Sequence, residues 1–522
     1  MFDDSNISKE RNLSAAKPGR SVKHMNYIST RGKKVQAPVT AAAAIKQGLA
    51  EDGGLFMPEV IPDLDSQDLA ELCEMSYPER AAYILSRFLT DYSYEELLED
   101  CAAAYAPERF PGGAAPIKKL GDDMFVLELW HGPTSAFKDM ALQIMPRLLS
   151  GALSITGEQK KALILVATSG DTGKAALEGF RDVPQTAISV FYPDHGVSDT
   201  QKRQMQTQEG SNVNVTAIDG NFDDAQTGVK KLFADTKYRS ELEEKGIFLS
   251  SANSINWGRL VPQVVYYVSA YCDMVANGRI GFGDKLDICV PTGNFGNILA
   301  AYIAKKMGLP IGKLICASND NNVLTDFLTT GTYDRNRPFH ATVSPSMDIL
   351  ISSNLERLIC LTAGHERCSE YMRELTANGR YTVDGSVLEA INSDFVGKWC
   401  DEADCLAEIA SVFERYAYLS DTHTAVAFKA AEMYAEERTE KDRPILVVST
   451  ASPYKFAPAV CRALGLESTG EDSELFMRLS DYTETTIPAP LWSVISKNIR
   501  FHSLVKADEM KSAVNSFIDS LV

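Results

Sequence analysis

Short runs of consecutive apolar residues alternate along this chain with longer stretches in which apolar residues recur every three or four positions. The runs lie at 125–130, 163–168, 187–192, 213–218, 286–290, 313–317 and 444–449. An apolar run without polar alternation is what a strand buried on both faces shows, and the stretches between have helical spacing. Strands and helices in turn predict parallel sheets joined by crossovers, an α/β fold. Residues 25–118 are mostly helical in pattern and end at Pro111-Gly112-Gly113 and Pro116, which read as a linker. The stretch from about 466 is mixed and closes on an amphipathic helix near 507–521, expected to pack back on the body.

Three strand ends carry candidate chemistry. In Leu127-Glu128-Leu129-Trp130-His131-Gly132-Pro133-Thr134-Ser135-Ala136-Phe137-Lys138-Asp139 the strand breaks at His131-Gly132-Pro133, and apolar residues then follow at Met140, Ala141, Ile144, Met145, Leu148 and Leu149. This spacing predicts a helix capped by Thr134 or Ser135, with Lys138 in its first turn. A cation is disfavoured at a helix N-terminus, so this lysine has reason to give up its proton or to be held as an imine. By itself the segment is equally compatible with a surface lysine near a helix start.

Pro291-Thr292-Gly293-Asn294-Phe295-Gly296-Asn297 joins the strand Leu286 to Val290 to a helix running from Asn297 to Met307. Two glycines there let backbone N–H groups approach an anion, and the helix adds its positive dipole end. An ordinary tight turn has the same spelling. Ser169-Gly170-Asp171-Thr172-Gly173 follows the apolar run Ala162 to Thr168 in the same manner, and its amides and hydroxyls suit a carboxylate. A nucleotide-binding Gly-x-x-x-x-Gly-Lys-Ser/Thr loop fails here, because position 168 is Thr and position 175 is Ala. Gly281-Phe282-Gly283 precedes a strand and lacks the third glycine, position 286 being Leu, so it is not a dinucleotide fingerprint.

Composition removes several classes of function. The net charge of −18 argues against nucleic acid or an anionic membrane as a partner, so an anionic substrate has to be drawn in by local donors. The ten cysteines form no Cys-x-x-Cys, which favours a reduced, cytoplasmic, metal-free protein. No apolar run has the length of a membrane span. A chain of 522 residues exceeds one ordinary core and predicts two or three domains. Residues 1–24 are polar and predict a disordered extension. Their five basic residues come with Asp3, Asp4 and Glu10, which is unlike a transit peptide.

Taken in order, the segments resemble the threonine synthase family in its longer bacterial and fungal branch. The resemblance rests on Met25-Asn26-Tyr27-Ile28-Ser29-Thr30-Arg31-Gly32, on Glu51-Asp52-Gly53-Gly54-Leu55-Phe56-Met57-Pro58, on the lysine segment and on Ala167-Thr168-Ser169-Gly170-Asp171-Thr172-Gly173. It continues through Ser254-Ile255-Asn256-Trp257-Gly258-Arg259, the glycine loop, Ser344-Pro345-Ser346-Met347-Asp348-Ile349, Ser353-Asn354-Leu355-Glu356-Arg357 and Ser449-Thr450-Ala451. It implies the second fold type of pyridoxal phosphate enzymes, like the tryptophan synthase β subunit: two facing parallel-sheet α/β domains, the cofactor between them, and an added helical N-terminal domain. The expected division is 25–118 helical, 119–275 small α/β, 276–465 large α/β and 466–522 C-terminal segment.

The resemblance also assigns roles. Lys138 is the Schiff-base lysine and proton shuttle. Gly293, Asn294, Phe295, Gly296 and Asn297 bind the pyridoxal phosphate group, and Thr450 meets the pyridine nitrogen. Ser169, Gly170, Asp171 and Thr172 flank the ring and receive the substrate carboxylate, and Asp171 is expected to repel a phenolate-like oxygen unless one of the two carries a proton. Asn256, Arg259, Ser344, Ser346, Asn354 and Arg357 line the substrate pocket, with Arg259 or Arg357 suited to a phosphate dianion. His131 and His423 are expected to be structural. One departure is Ser452-Pro453-Tyr454-Lys455, where the family more often has His-Pro-Ala-Lys; Tyr454 is expected to add bulk beside the cofactor. The implied reaction takes O-phospho-L-homoserine and water to L-threonine and phosphate. A related lyase releasing a 2-oxo acid differs only in the water-addition step, and a non-catalytic binding protein is opposed by the intact Lys138, Thr450 and glycine loop. The sequence leaves monomer and homodimer both open.

Overall fold

In a computed structural model, residues 24–521 are described; the predicted disordered extension falls almost wholly outside them. Two sheets organise the molecule. The larger has the order Phe395–Trp399, Ile311–Ser318, Leu286–Pro291, Ile445–Ser449, Met124–Glu128, Ile117–Lys119; all its pairings are parallel except the last. The smaller is wholly parallel, in the order Leu504–Val505, Val213–Ile218, Thr186–Pro193, Lys161–Ala167, Ile247–Ser250.

Burial on both faces explains the unbroken apolar runs. In the larger sheet Leu127, Ile288 and Val448 face one apolar cluster while their chain neighbours Val126, Cys289 and Val447 face another. In the smaller sheet Ile164 and Val166 point into the same first cluster, and Leu163 and Leu165 point away from it. One face of each sheet therefore drains into a common core. The N-terminal helices Ser66–Cys73, Tyr77–Phe88 and Tyr94–Ala104 join that core through Leu72, Phe88 and Leu97. They accompany a short antiparallel pair, Tyr27–Ser29 with Phe56–Pro58.

Two placements follow from the tertiary structure. Met124–Glu128, placed by the expected division with the small domain, belongs to the larger sheet, where it pairs with Ile445–Ser449. Chain order does not dictate which sheet a strand joins. The C-terminal segment also divides. Helix Asp472–Thr483 covers the larger sheet through Leu475, Phe476 and Leu479, whereas Leu504–Val505 extends the smaller sheet and helix Met510–Ser520 covers its outer face. Among the described residues no helix is long and apolar enough to cross a membrane.

Candidate functional site

The carboxyl ends of four strands open on one cleft of about 1200 Å³ between the two sheets. Met124–Glu128 leads to Lys138, Lys161–Ala167 to Ser169 and Thr172, Leu286–Pro291 to the glycine loop, and Ile445–Ser449 to Thr450. This is where open parallel sheets present their ligand sites.

The loop carrying Lys138 folds differently from the expectation. The helix begins at Asp139, with Lys138 at its N-cap position, and Thr134 does not cap it. Instead the buried Asp139 carboxylate accepts from Thr134 N and Thr134 Oγ1, both at 2.8 Å, and draws the preceding loop into a knot. Burial raises the Asp139 pKa to about 6. Ser135 takes a left-handed backbone, and Phe137 N donates to Thr450 O at 2.8 Å. The Lys138 and Thr450 loops are thereby tied to each other.

Lys138 is buried, and its Nζ donates to Asp171 Oδ2 at 3.3 Å and to Ser346 Oγ at 3.2 Å. Burial lowers its pKa, Arg259 and Lys455 lower it further, and Asp171 opposes them. Asp171 stands in the first turn of helix Asp171–Phe180. Lys455 Nζ lies 2.6 Å from its Oδ1, and Gln201 Nε2 donates to the same oxygen at 2.8 Å. Burial works against the Asp171 charge, but Lys455, Lys138 and Gln201 prevail and hold the carboxyl far below its usual range. Gly170 makes the turn at φ 131, and a Cβ there would lie 2.5 Å from the Gln201 side chain.

The glycine loop forms the facing wall. Phe295 is left-handed at φ 61, and helix Gly296–Lys306 starts directly after it. A Cβ on Gly293 would sit 2.5 Å from Ser346 O. Ser352 Oγ donates to Gly293 O at 2.7 Å, and Asn354 Nδ2 donates to Asn294 O at 3.0 Å. Tyr267 and Tyr266 donate to Asn297 Oδ1, the former at 2.6 Å, while the buried Asn297 Nδ2 has no partner. The loop's carbonyls are therefore committed to the protein, and an amide donor is left over beside the cleft.

The cleft is lined by Lys138, Ser169, Thr172, Arg259, Gly293, Asn294, Phe295, Gly296, Asn297, Ser346 and Thr450. Gly170 and Asp171 stand behind it. Four predicted pocket residues turn elsewhere. Asn256 caps helix Trp257–Leu260 and donates to Ile45 O and Ser251 O. Ser344 is buried with Asn319 and Thr342. Asn354 supports the glycine loop from behind. Arg357 spends its whole guanidinium fork on Phe56 O, Ser254 O, Ile255 O and Asn354 Oδ1. Each is a buried polar group that needs partners, and backbone carbonyls or neighbouring side chains supplied them first. Tyr454 too is corrected: its hydroxyl reaches Thr485 and its ring packs edge-on against Phe476, away from the cleft.

Arg259 differs from Arg357. It donates to Ala252 O at 2.9 Å and to Thr172 Oγ1 at 3.3 Å, lines the cleft, and is paired with no carboxylate among the described residues. Burial lowers its pKa to about 10, so it is still a cation at neutral pH.

Two residues of the site had no role assigned from the sequence, and a third, His423, was expected to be structural. Lys455 and Gln201 hold Asp171. His423 lines the cleft, holds Asp421 Oδ1 through Nδ1 at 2.9 Å and accepts Ser346 N at Nε2 at 3.1 Å. The available signal for Lys455 was its apolar surroundings, Tyr454-Lys455-Phe456-Ala457, unusual for a surface lysine. His131, by contrast, binds Glu128 at 2.8 Å and stacks on Trp130.

Comparisons with known proteins agree with this geometry. Residues 26–105 match the family model "Threonine synthase N terminus", 111–451 match "Pyridoxal-phosphate dependent enzyme", and 424–518 match "Threonine synthase, C-terminal". Human "Threonine synthase-like 1" is 42% identical over 496 residues, which cover 91% of this chain and 66% of that protein, so the chain spans just under two thirds of that relative's length. Threonine synthase of Pseudomonas aeruginosa is 38% identical over 84% of this chain and 90% of its own. The solved structure of pyridoxal-phosphate-bound threonine synthase from Brucella melitensis superposes with a TM-score of 0.83 at 36% identity, covering 95% of this chain and 99% of that one. The yeast enzyme gives 0.84 at 33% identity.

The residues present fit that cofactor. A buried amine, a turn of free amides ending in the unpartnered Asn297 Nδ2, and the tight approach at Gly293 match an aldehyde at one end and a phosphate at the other.

Proposed function

The chain belongs to the threonine synthase family of pyridoxal-phosphate-dependent enzymes, and on that premise we propose that it converts O-phospho-L-homoserine and water to L-threonine and phosphate. The observation that carries this reading is Arg259, a buried cation without a carboxylate partner among the described residues, in the same cleft as the Lys138 amine. A forked, desolvated guanidinium is the side chain that fits a phosphate dianion.

When bound, the cofactor supplies an aldehyde for an amine and a conjugated ring that takes up negative charge. The amides of Gly293 to Asn297 would hold its phosphate, and Thr450 would offer its ring a hydroxyl and not a carboxylate. Ser169 and Thr172 receive the substrate carboxylate. Arg259 then orients the phosphate and stabilises the charge it carries away when it leaves from Cγ. Lys138 Nζ removes the proton at Cα and then the one at Cβ as phosphate leaves from Cγ, returns one proton to Cγ and one to Cα, and water adds its hydroxyl at Cβ and gives up its remaining proton. Ser346 Oγ, aligned by the His423–Ser346 backbone contact, accepts a hydrogen bond from that amine and directs its lone pair. Proton transfer of this kind is worth roughly 10²–10⁴-fold. Lys455 is unsuited to it, since its Nζ is enclosed by Thr134 O and Asp171.

Incubating the cofactor-loaded chain with O-phospho-L-homoserine and identifying the products tests the proposal. Threonine and phosphate in equal amounts, lost in Lys138→Ala, are the expected result. A 2-oxo acid in place of threonine replaces the synthase by the related lyase. An unchanged substrate, with a Lys138-dependent visible band present, overturns the substrate assignment.

A further inference from the structure

The roles above leave Lys455 without a task, although it is the most enclosed cation of the site. It is 0% exposed, and its Nζ touches Asp171 Oδ1 at 2.6 Å and Thr134 O at 3.0 Å. A buried ammonium needs a counter-ion, and Asp171 supplies one. Yet Asp171 meets a second lysine, Lys138, on its other oxygen at 3.3 Å, and the Arg259 charge also acts on Lys138. One carboxylate thus faces two lysines, with an arginine close by. The shorter contact shows which lysine holds it.

We propose that Lys455 is a positioning residue that keeps Asp171 engaged, so that Lys138 Nζ is left as the neutral amine able to capture the cofactor aldehyde; this rests on the reading of Lys138 as the cofactor's lysine. Capture joins Lys138 Nζ to the aldehyde carbon as C=N, and the two amine hydrogens leave with the carbonyl oxygen as one water. Only the unprotonated amine has the electron pair to begin it. Without Lys455, Asp171 turns its full charge on Lys138 and holds the proton there. Without Asp171, Lys138 loses its carboxylate partner while Arg259 and Lys455 remain nearby, and it releases its proton more readily.

The test titrates the full chain, freed of cofactor, with pyridoxal phosphate across pH. It reads the visible band of the captured aldehyde, and borohydride trapping with peptide mass analysis locates the capture on Lys138. Relative to wild type, Lys455→Met should raise the pH midpoint of capture by about one unit or more, making capture about tenfold slower at a fixed pH below the midpoint. Lys455→Arg should keep the wild-type midpoint, Asp171→Asn should lower it, and the double variant Lys455→Met/Asp171→Asn should return toward wild type. A Lys455→Met midpoint equal to or below wild type overturns the proposal. Should that variant lack a native circular dichroism spectrum, Asp171→Asn decides, and a midpoint that is unchanged or raised overturns it. A wild type that forms no band at any pH overturns instead the reading of Lys138.

Discussion

Arg259 and Arg357 are both buried, and both are displaced below the ordinary guanidinium range by desolvation, to about 10 and about 9. Their surroundings nevertheless make them opposites. Arg357 makes five hydrogen bonds, four to backbone carbonyls and one to Asn354, and so ties the N-terminal strand at Phe56 to the segment at Ser254 and Ile255 and to the back of the glycine loop. Arg259 makes two, to Ala252 O and Thr172 Oγ1, and keeps the rest of its fork for the cleft. A guanidinium has five donors in fixed directions, so the number of local acceptors decides whether it is a brace or a binding group. The region around Arg357 is saturated and rigid. The region around Arg259 is left unsatisfied, as a site for an anion must be.

Arg259→Gln is the largest test of the contrast. Loss of this donor should lower kcat/KM for O-phospho-L-homoserine about 10²–10³-fold, with little change in melting temperature. Inorganic phosphate should protect the wild type against thermal unfolding and fail to protect the variant. Equal protection of both in a thermal shift assay would make Arg259 a second brace.

Arg357→Leu should act in the other direction. It strands several buried carbonyls, and each unsatisfied group costs about 1–3 kcal/mol, so a loss of about 3 kcal/mol or more is expected in urea unfolding. A folded variant with wild-type stability but an impaired KM would exchange the two roles.

The carboxylate held between Lys138 and Lys455 gives the third test. The Asp171 pKa is depressed in the folded state, so its contribution to stability is present above the unfolded value of about 3.9 and is lost as pH falls below it. Asp171→Asn should therefore flatten the acid limb of the urea midpoint against pH. An acid limb as steep as that of wild type would mean that Asp171 is not the group held in its charged form.

The smallest effect belongs to the serines. Ser344→Ala should cost about 1 kcal/mol, a typical buried hydrogen bond, and leave KM unchanged, whereas Ser346→Ala should change the pH profile of turnover through Lys138. Steady-state kinetics of the two variants side by side checks this.

How far the sequence could be read follows the same logic of saturation. The seven apolar runs all became strands of the two sheets, because strands covered on both faces cannot hide their composition. The strands that went unseen lie mostly at edges: Ile117–Lys119, Phe395–Trp399, Ile247–Ser250 and Leu504–Val505 are partly exposed and carry polar residues that break the run. Lys138 and the glycine loop stood out because each sits at a strand-to-helix turn whose spelling is local, whereas Thr450 stood out only through the resemblance; all of them line the cleft.

The sequence by itself thus determined the α/β class, the apolar strands and the turns that carry the amine and the anion seat, since those depend on neighbours a few residues away. Tertiary structure alone decided that Met124–Glu128 joins the larger sheet, that Arg259 faces the cleft while Arg357 does not, and that Lys455 closes on Asp171. The physical reason is that a buried polar group takes its role from whichever partners folding brings within hydrogen-bond reach, and those partners come from distant parts of the chain.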